Sequence, residues 1–252
     1  MLFFCHLLTG FVIGLVLSGL FKDRRVIVFC SIGSILPDLI DKPLGHIILA
    51  GSLNDGRIFA HSLIGLMTIC VIGIILWKQK GSPVLLYLVP GIISHVLLDA
   101  MWNIPINWFY PALGPFVQRY SQDYFCNMFF VEINSFSEWF FFIILSVCLF
   151  SEFTFNGRSG SISDSGYDSE NRRWYRFFLL CTSFLLLIFG GFVMLSVCQA
   201  QVPVWTVYQN GSSFTILGVT SLACGAGLFY RWLVMYGKGD KSGRDVVGNK
   251  EE

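Results

Sequence analysis

Long apolar runs, separated by shorter polar connections, follow one another along the chain. A helix that crosses a bilayer needs about 20 predominantly apolar residues, and seven runs approach that length. They occupy residues 4–21, 26–41, 58–77, 83–102, 137–155, 176–198 and 213–236. The second run is the weakest, because Pro37 and Asp38 interrupt its end, and it could dip into the bilayer without crossing it. The pattern predicts an all-α, polytopic transmembrane protein with about seven spanning helices.

Composition indicates the same class of protein. Charged residues make up 13% of the chain and hydrophobic residues 54%, whereas a soluble domain carries about 25% charged residues. We therefore expect an integral, multi-pass protein of the plasma or inner membrane, surrounded by membrane lipids. The net charge of +1 and the lack of a basic stripe give no reason to expect nucleic acid as a partner. The eight cysteines are scattered without a C-x-x-C motif, so we interpret them as small hydrophobic side chains.

The distribution of positive charge predicts an orientation. Cytoplasmic connections of membrane proteins are enriched in Lys and Arg. If the N-terminus lies outside and seven helices cross, only Lys42, Arg57 and Arg119 of the 17 Lys and Arg residues fall on the outer side. The sequence therefore predicts an outer N-terminus and a cytoplasmic C-terminus.

The polar segment at residues 156–173 is rich in Ser, Gly and charged residues, a composition typical of disordered segments. We predict a disordered cytoplasmic loop there. The order of the apolar runs also suggests two units. Residues 1–136 would hold four membrane helices and a long outer loop at 103–136, and residues 137–252 would hold three helices and the disordered loop.

All four histidines lie within the first 95 positions, each at or near one end of an apolar run. In the predicted orientation, the helix ends that carry histidine and aspartate all fall on the outer face. Histidine and carboxylate are the usual ligands of zinc and similar divalent ions, and ionisable groups at membrane depth are costly, which suggests a function. The predicted metal ligands are His6, Asp38, Asp41, His61, His95 and Asp99. His46 lies in a connection on the same side and is a weaker candidate.

Local spacing supports a shared site. His95 and Asp99 are four residues apart and would share one helix face. Asp38 and Asp41 are three apart and share a face if the helix continues past Pro37. Carboxylates at these helix C-terminal ends oppose the helix dipole, and a bound cation would compensate them. Taken singly, a histidine could instead lie at the headgroup interface, and Asp38 could cap a helix or a turn.

A larger pattern joins these positions in the order H…PDxxD…HS…HxxxD. It resembles the membrane-bound metal-dependent hydrolase family typified by YdjM, described as LexA-binding, inner-membrane-associated hydrolases. The matching segments are His6–Gly10, Gly33–Asp41, His61–Gly65 and Ser94–Asp99. The order is also distantly similar to that of zinc-dependent phospholipase C, which uses further histidines downstream. Because no histidine follows His95, we expect at most two metal ions.

The resemblance implies a hydrolase that depends on a divalent metal, with zinc expected and manganese as an alternative. A bound ion would activate water, and the catalytic carboxylates Asp38 and Asp41 would orient that water or act as the base. We expect a phosphoester-type small molecule or lipid as the substrate, at the outer membrane interface. Asp55 and Arg57, shortly before His61, could contact an anionic substrate, although loop solubility explains them equally well.

Two other classes of function stay open. A proton or metal-ion transporter or channel would also use histidine and aspartate. It would need ionisable residues along the whole path, whereas the cytoplasmic halves of the predicted helices are almost purely apolar. A non-catalytic membrane scaffold could instead use the metal as a structural staple.

Overall fold

A computed structural model describes residues 3–118, 123–152, 154, 165–198 and 211–248. These residues form helices and connections without any strand, so the all-α prediction is confirmed for this part of the chain. They fall into two compact units, one up to Phe142 and one from Ile143 onward. The predicted membrane units, 1–136 and 137–252, stay a prediction.

Ten α-helices follow one another along the described chain. They are α1 (Phe3–Phe21), α2 (Arg25–Gly33), α3 (Leu36–Pro43), α4 (Leu63–Lys80), α5 (Val84–Leu98), α6 (Pro105–Trp108), α7 (Tyr124–Ile133), α8 (Phe136–Ser151), α9 (Ser165–Cys198) and α10 (Gly211–Gly248). A π-helical turn at Leu44–Ile48 follows α3, and a 3₁₀ turn at Met101–Asn103 follows α5. The predicted outer loop at 103–136 therefore contains helices.

The structure does not confirm seven spanning helices. Within the described residues, four helical segments are long and apolar enough to cross a membrane. They are Phe3–Phe21, Leu63–Lys80, Arg173–Cys198 and Thr215–Tyr236. The pair α7 and α8, bent by 71°, would make a fifth if it counts as one span. The seven-span count is thus not confirmed, and α5, with 15 residues, is shorter than a full span.

The second predicted run is two short helices. Residues 26–41 divide between α2, with nine residues, and α3, with eight. A helix of this length extends only about 13 Å, far less than the roughly 30 Å of bilayer hydrocarbon. Pro37 lies in the first turn of α3, where its missing N–H costs nothing, whereas it could not continue α2 without losing a hydrogen bond.

The polar and apolar residues of α3 are arranged inversely to those of a soluble helix. Asp38 and Asp41 are buried, whereas Leu39 and Ile40 are 56% and 43% exposed. Ionisable residues within membranes face the protein interior, and apolar residues face lipid. The arrangement therefore suits a short helix that lies against the bilayer.

Close contacts between backbones hold α2 between α1 and α5. A Cβ atom added at Gly91 of α5 would collide with the carbonyl oxygen of Cys30, and one added at Gly10 of α1 would lie 2.9 Å from the same oxygen. Small residues allow such approaches between membrane helices. They bring α5 against the end of α2 at Ser34, where the candidate site lies.

Two hydrogen bonds and one glycine mark the ends of α1 and α4. The carboxylate of Glu138 accepts the N–H of Phe4 at 2.8 Å, satisfying one of the open donors at the start of α1. Ser62 caps α4 by accepting the N–H of Gly65. Gly81 ends α4 in the left-handed conformation, with φ of 65°.

In the second unit, α9 packs along α10. Residues 165–173, assigned above to a disordered loop, are the first residues of α9. Glu and Arg have good helix propensity, so an apolar helix can extend through them. Residues 156–164 lie outside the described part of the chain.

The predicted orientation can be tested with reporters at the two ends. Alkaline phosphatase fused after Glu252 is expected to be inactive, green fluorescent protein at the same position is expected to fluoresce, and an epitope tag before Met1 should be accessible from outside intact spheroplasts. The positive-inside bias is the physical reason. An odd number of spans separates the termini, whereas four spans would place both on one side and contradict the prediction.

Packing of α5 on α2 predicts a specific effect of Gly91→Ala. The new methyl group must displace backbone at Cys30, and overpacking of this kind costs about 1–3 kcal/mol. We expect a lower unfolding temperature for the purified protein in detergent. Gly191→Ala is the matched control, because a Cβ atom added there meets nothing within 4 Å. Equal unfolding temperatures of the two variants would contradict the close approach.

Candidate metal centre

Four chain segments of the first unit carry the predicted ligands to one place. His6 belongs to α1, Asp38 and Asp41 to α3, and His95 to α5. His61 lies just before α4, and Asp99 is the residue that ends α5. One ligand atom from each of four residues lies within 4.8 Å of the other three, and the four are Asp38, His61, His95 and Asp99. We call these four residues the ligand set. The expected convergence is confirmed for them, and the cluster can hold a metal ion.

Hydrogen bonds determine how the two buried imidazole rings are oriented. The Nδ1 atom of His61 lies 2.8 Å from Oδ2 of Asp41, and Nδ1 of His95 lies 2.7 Å from the carbonyl oxygen of Ser34. A carbonyl or an ionised carboxylate only accepts, so we assign the hydrogen to Nδ1 in both rings. Both Nε2 atoms then present lone pairs to the site.

The two Nε2 atoms face each other at 3.1 Å. Two lone pairs at this distance need a cation between them, which can be a proton or a metal ion. Zinc binds nitrogen and oxygen ligands at about 2.0–2.2 Å, which places neighbouring ligand atoms roughly 3–3.6 Å apart. The separation therefore fits a shared divalent ion.

Two carboxylates complete the ligand set. The Oδ1 and Oδ2 atoms of Asp38 lie 3.6 Å from Nε2 of His61 and 3.6 Å from Nε2 of His95, respectively. Oδ2 of Asp99 lies 3.8 Å from Nε2 of His61. A donor set of imidazole nitrogen and carboxylate oxygen suits zinc and other first-row divalent ions.

His6 lies beside the ligand set. Its Nε2 atom is 3.3 Å from Oδ1 of Asp99, and its ring centroid is 4.4 Å from that of His95. Asp99 thus faces His6 with one oxygen and His61 with the other. The carboxylate of Asp99 therefore lies between the imidazole rings of His6 and His61.

Asp41 lies behind His61. Its two oxygens accept the backbone N–H groups of Ile58, Ala60 and His61 at 2.9–3.0 Å, as well as Nδ1–H of His61. The side chain is completely buried. Partners of this kind fix the orientation of a metal-binding histidine and increase its basicity. The geometry therefore gives Asp41 a positioning role, which the spacing from Asp38 alone did not reveal.

The break between α2 and α3 supplies the second positioning group. In a continuous helix, the carbonyl of Ser34 would accept the N–H of residue 38. Here Ser34 ends α2 and its carbonyl accepts Nδ1–H of His95.

The break between α2 and α3 also corrects the expectation that the aspartates oppose the helix dipole. Asp38 lies in the first turn of α3, where the helix dipole favours a carboxylate, so the expectation of an unfavourable position is wrong for Asp38. It holds for Asp99 at the end of α5.

Two cations contact the carboxylates of the ligand set. Nζ of Lys42 lies 3.1 Å from Oδ1 of Asp38, and Nε of Arg57 donates to Oδ2 of Asp99 at 2.9 Å. Burial lowers the pKa of Lys42, although the charge of Asp38 opposes this shift. Burial also acts to lower the pKa of Arg57, but the charges of Asp99 and Asp38 outweigh it and raise the pKa. Sequence reasoning missed Lys42, although its spacing of four residues from Asp38 is a helical ion-pair signal.

His46 lies outside the ligand set. Its Nδ1 atom is 2.8 Å from Oδ1 of Asn54, and its ring stacks on Tyr124 with 3.7 Å between centroids. His46 thus packs the π-helical turn against the first residue of α7.

Comparison with known proteins gives one family. The sequence profile described as YdjM inner membrane protein matches residues 1–197, an interval that includes all six predicted ligands. No curated protein and no solved structure matches the chain.

The positioning role of Asp41 predicts the effect of Asp41→Asn. An amide cannot accept from all four donors, so His61 should lose its fixed orientation and the affinity for zinc or manganese should fall by about 10–100-fold. Isothermal titration of the detergent-purified protein measures this. Asp23→Asn is the control, because Asp23 pairs with the exposed Arg25. Unchanged metal affinity of Asp41→Asn would contradict the role.

Proposed function

The chain belongs to the YdjM inner membrane protein family, and from this premise we propose that it is a membrane-bound, metal-dependent hydrolase that cleaves a phosphoester in a small molecule or a lipid. The protein is an integral membrane protein with several apolar helices able to span the bilayer. The observation that carries the proposal is the pair of fully buried histidines, His61 and His95, whose Nε2 atoms face each other beside two carboxylates.

His61, His95 and Asp99 would hold the ion, with Asp38 beside it and His6 available for a second ion. A divalent ion bound there would supply Lewis-acid activation of water and of the phosphoester. The protein's own part is to keep both imidazoles deprotonated at Nε2, which the contacts of Asp41 and Ser34 support. Burial of both rings also excludes bulk water, which strengthens electrostatic interactions within the site.

Of the two carboxylates predicted to be catalytic, Asp38 is the better proton acceptor. The oxygens of Asp41 already accept four hydrogen bonds, whereas Asp38 lies on the Nε2 side of both histidines. Water attacks phosphorus, the bond from phosphorus to the leaving oxygen breaks, Asp38 takes the proton of the attacking water, and the leaving oxygen is protonated in turn. Asp41 keeps His61 in place throughout.

Exposed apolar side chains near the site support a substrate at the membrane interface. Ile47 and Ile48, in the turn that follows α3, are 65% and 73% exposed, and Trp102, close after Asp99, is 55% exposed. Tryptophan is enriched at the membrane–water interface. A phosphoester in a lipid headgroup would be available at this depth.

The proposal predicts metal-dependent turnover. Detergent-purified protein loaded with zinc or manganese should hydrolyse at least one member of a panel of soluble and lipid phosphoesters, and the double variant His61→Ala/His95→Ala should lose both bound metal and turnover. Elemental analysis measures the metal. His46→Ala is the control for metal content, because this ring is held by Asn54 and Tyr124 outside the ligand set.

Absence of turnover on the whole panel, together with equal metal content of the wild type and the double variant, would contradict the proposal. A third result is expected if the metal only stabilises the fold. A chelator would then lower the unfolding temperature, and the metal-loaded protein would show no turnover.

A further inference from the structure

Lys42 and Arg57 lie on the solvent side of the ligand set. The exposed fraction of the side chain rises from 7% at Asp38 to 16% at Lys42, and from 5% at Asp99 to 35% at Arg57. Each cation is therefore more accessible than the carboxylate that it contacts.

The loop before His61 brings the two cations together. A Cβ atom added at Gly56 would lie 3.2 Å from Cγ of Lys42, so the backbone that carries Arg57 packs on the Lys42 stem. The charge of Arg57 acts to lower the pKa of Lys42, and the charges of Asp38, Asp99 and Glu132 act in the opposite direction.

Hydrogen bonds to Asp55 and Asn107 hold the backbone of Arg57 in position. Its N–H donates to Oδ1 of Asp55 at 3.1 Å, and Nδ2 of Asn107 donates both to the carbonyl of Arg57 and to Oδ2 of Asp55. Asp55 and Asn107 are both buried. A cation fixed in this way loses little conformational freedom when it binds a ligand.

We propose that Lys42 and Arg57 form an anion-binding subsite that receives the phosphate group of the substrate beside the metal centre. The inference rests on the proposed function and names the substrate feature that the site recognises. A guanidinium presents several N–H donors in a plane that matches phosphate oxygens, and an ammonium adds a compact positive charge. Nε of Arg57 is engaged by Asp99, so the terminal nitrogens are the donors for the phosphate.

The charges also predict that metal and phosphate bind cooperatively. Lys42 and Arg57 each offset one carboxylate of the ligand set. A divalent ion bound by the same carboxylates adds positive charge that these pairs no longer balance, so the subsite attracts an anion more strongly. By thermodynamic linkage, phosphate must increase the affinity for the metal by the same factor.

Binding of inorganic phosphate tests the subsite without requiring turnover. The full chain is purified in detergent, its metal content is measured, and phosphate is titrated with and without zinc or manganese. We expect tighter phosphate binding to the metal-loaded protein. Lys42→Gln and Arg57→Gln should each weaken it by about tenfold or more, the size of a lost charge-assisted hydrogen bond, while metal content stays equal or rises.

Two further variants sharpen the measurement. Arg57→Lys keeps the charge but removes the planar set of donors, so its loss of affinity should be smaller than that of Arg57→Gln. Arg25→Gln is the matched control, because Arg25 is 64% exposed and pairs with Asp23 rather than with the ligand set. It should bind phosphate as the wild type does.

The source of the phosphate is tested by competition. Soluble glycerol phosphate and phosphatidic acid in nanodiscs are each tested for displacement of bound phosphate. Displacement by either one supports the subsite. The compound that displaces phosphate shows whether the subsite accepts a soluble phosphoester or a lipid headgroup. Displacement by neither, or wild-type affinity in both glutamine variants, overturns the inference. Wild-type protein that holds metal but binds no phosphate overturns the inference alone, whereas protein that holds no metal overturns the proposed function as well.

Discussion

Two fully buried imidazole rings turn their Nε2 atoms toward each other, 3.1 Å apart, and the chemistry of the site depends on this arrangement. Each ring is held from behind through its Nδ1–H, by Asp41 in one case and by the carbonyl of Ser34 in the other. Turning a ring would break a buried hydrogen bond, at a cost of about 1–3 kcal/mol for each group left unsatisfied. A cation shared by the two Nε2 atoms satisfies both lone pairs and keeps both Nδ1–H hydrogen bonds.

The interruption between α2 and α3 frees the carbonyl of Ser34 and determines the position of Asp38. It ends one helix at Ser34, which leaves a carbonyl for His95, and it starts another at Leu36, which places Asp38 in a first turn where a carboxylate is stable. The glycine contact of α5 with α2 brings His95 close enough to use that carbonyl. Pro37, which interrupts the apolar run 26–41, lies in the first turn of α3 and so contributes to the position of Asp38.

The two sides of α3 differ in polarity and in exposure. The apolar side of α3 is exposed while its two aspartates are buried, so the helix presents hydrocarbon outward and carboxylate inward, as expected within a bilayer. Lys42 and Arg57 are more accessible than the carboxylates that they contact.

The sequence by itself determined the helical class, the membrane setting and the residue types of the candidate metal centre, because apolar run length and the cost of buried ionisable groups are properties of composition and local spacing. It could not determine that the apolar run 26–41 forms two short helices, since helix breaks depend on backbone packing. Nor could it divide the roles of the aspartates in α3. Asp41 contacts Nδ1 of His61 and Asp38 lies near Nε2 of the same ring. Only the tertiary structure decided this, because the orientation of a ring depends on acceptors 20 and 61 residues away in the chain.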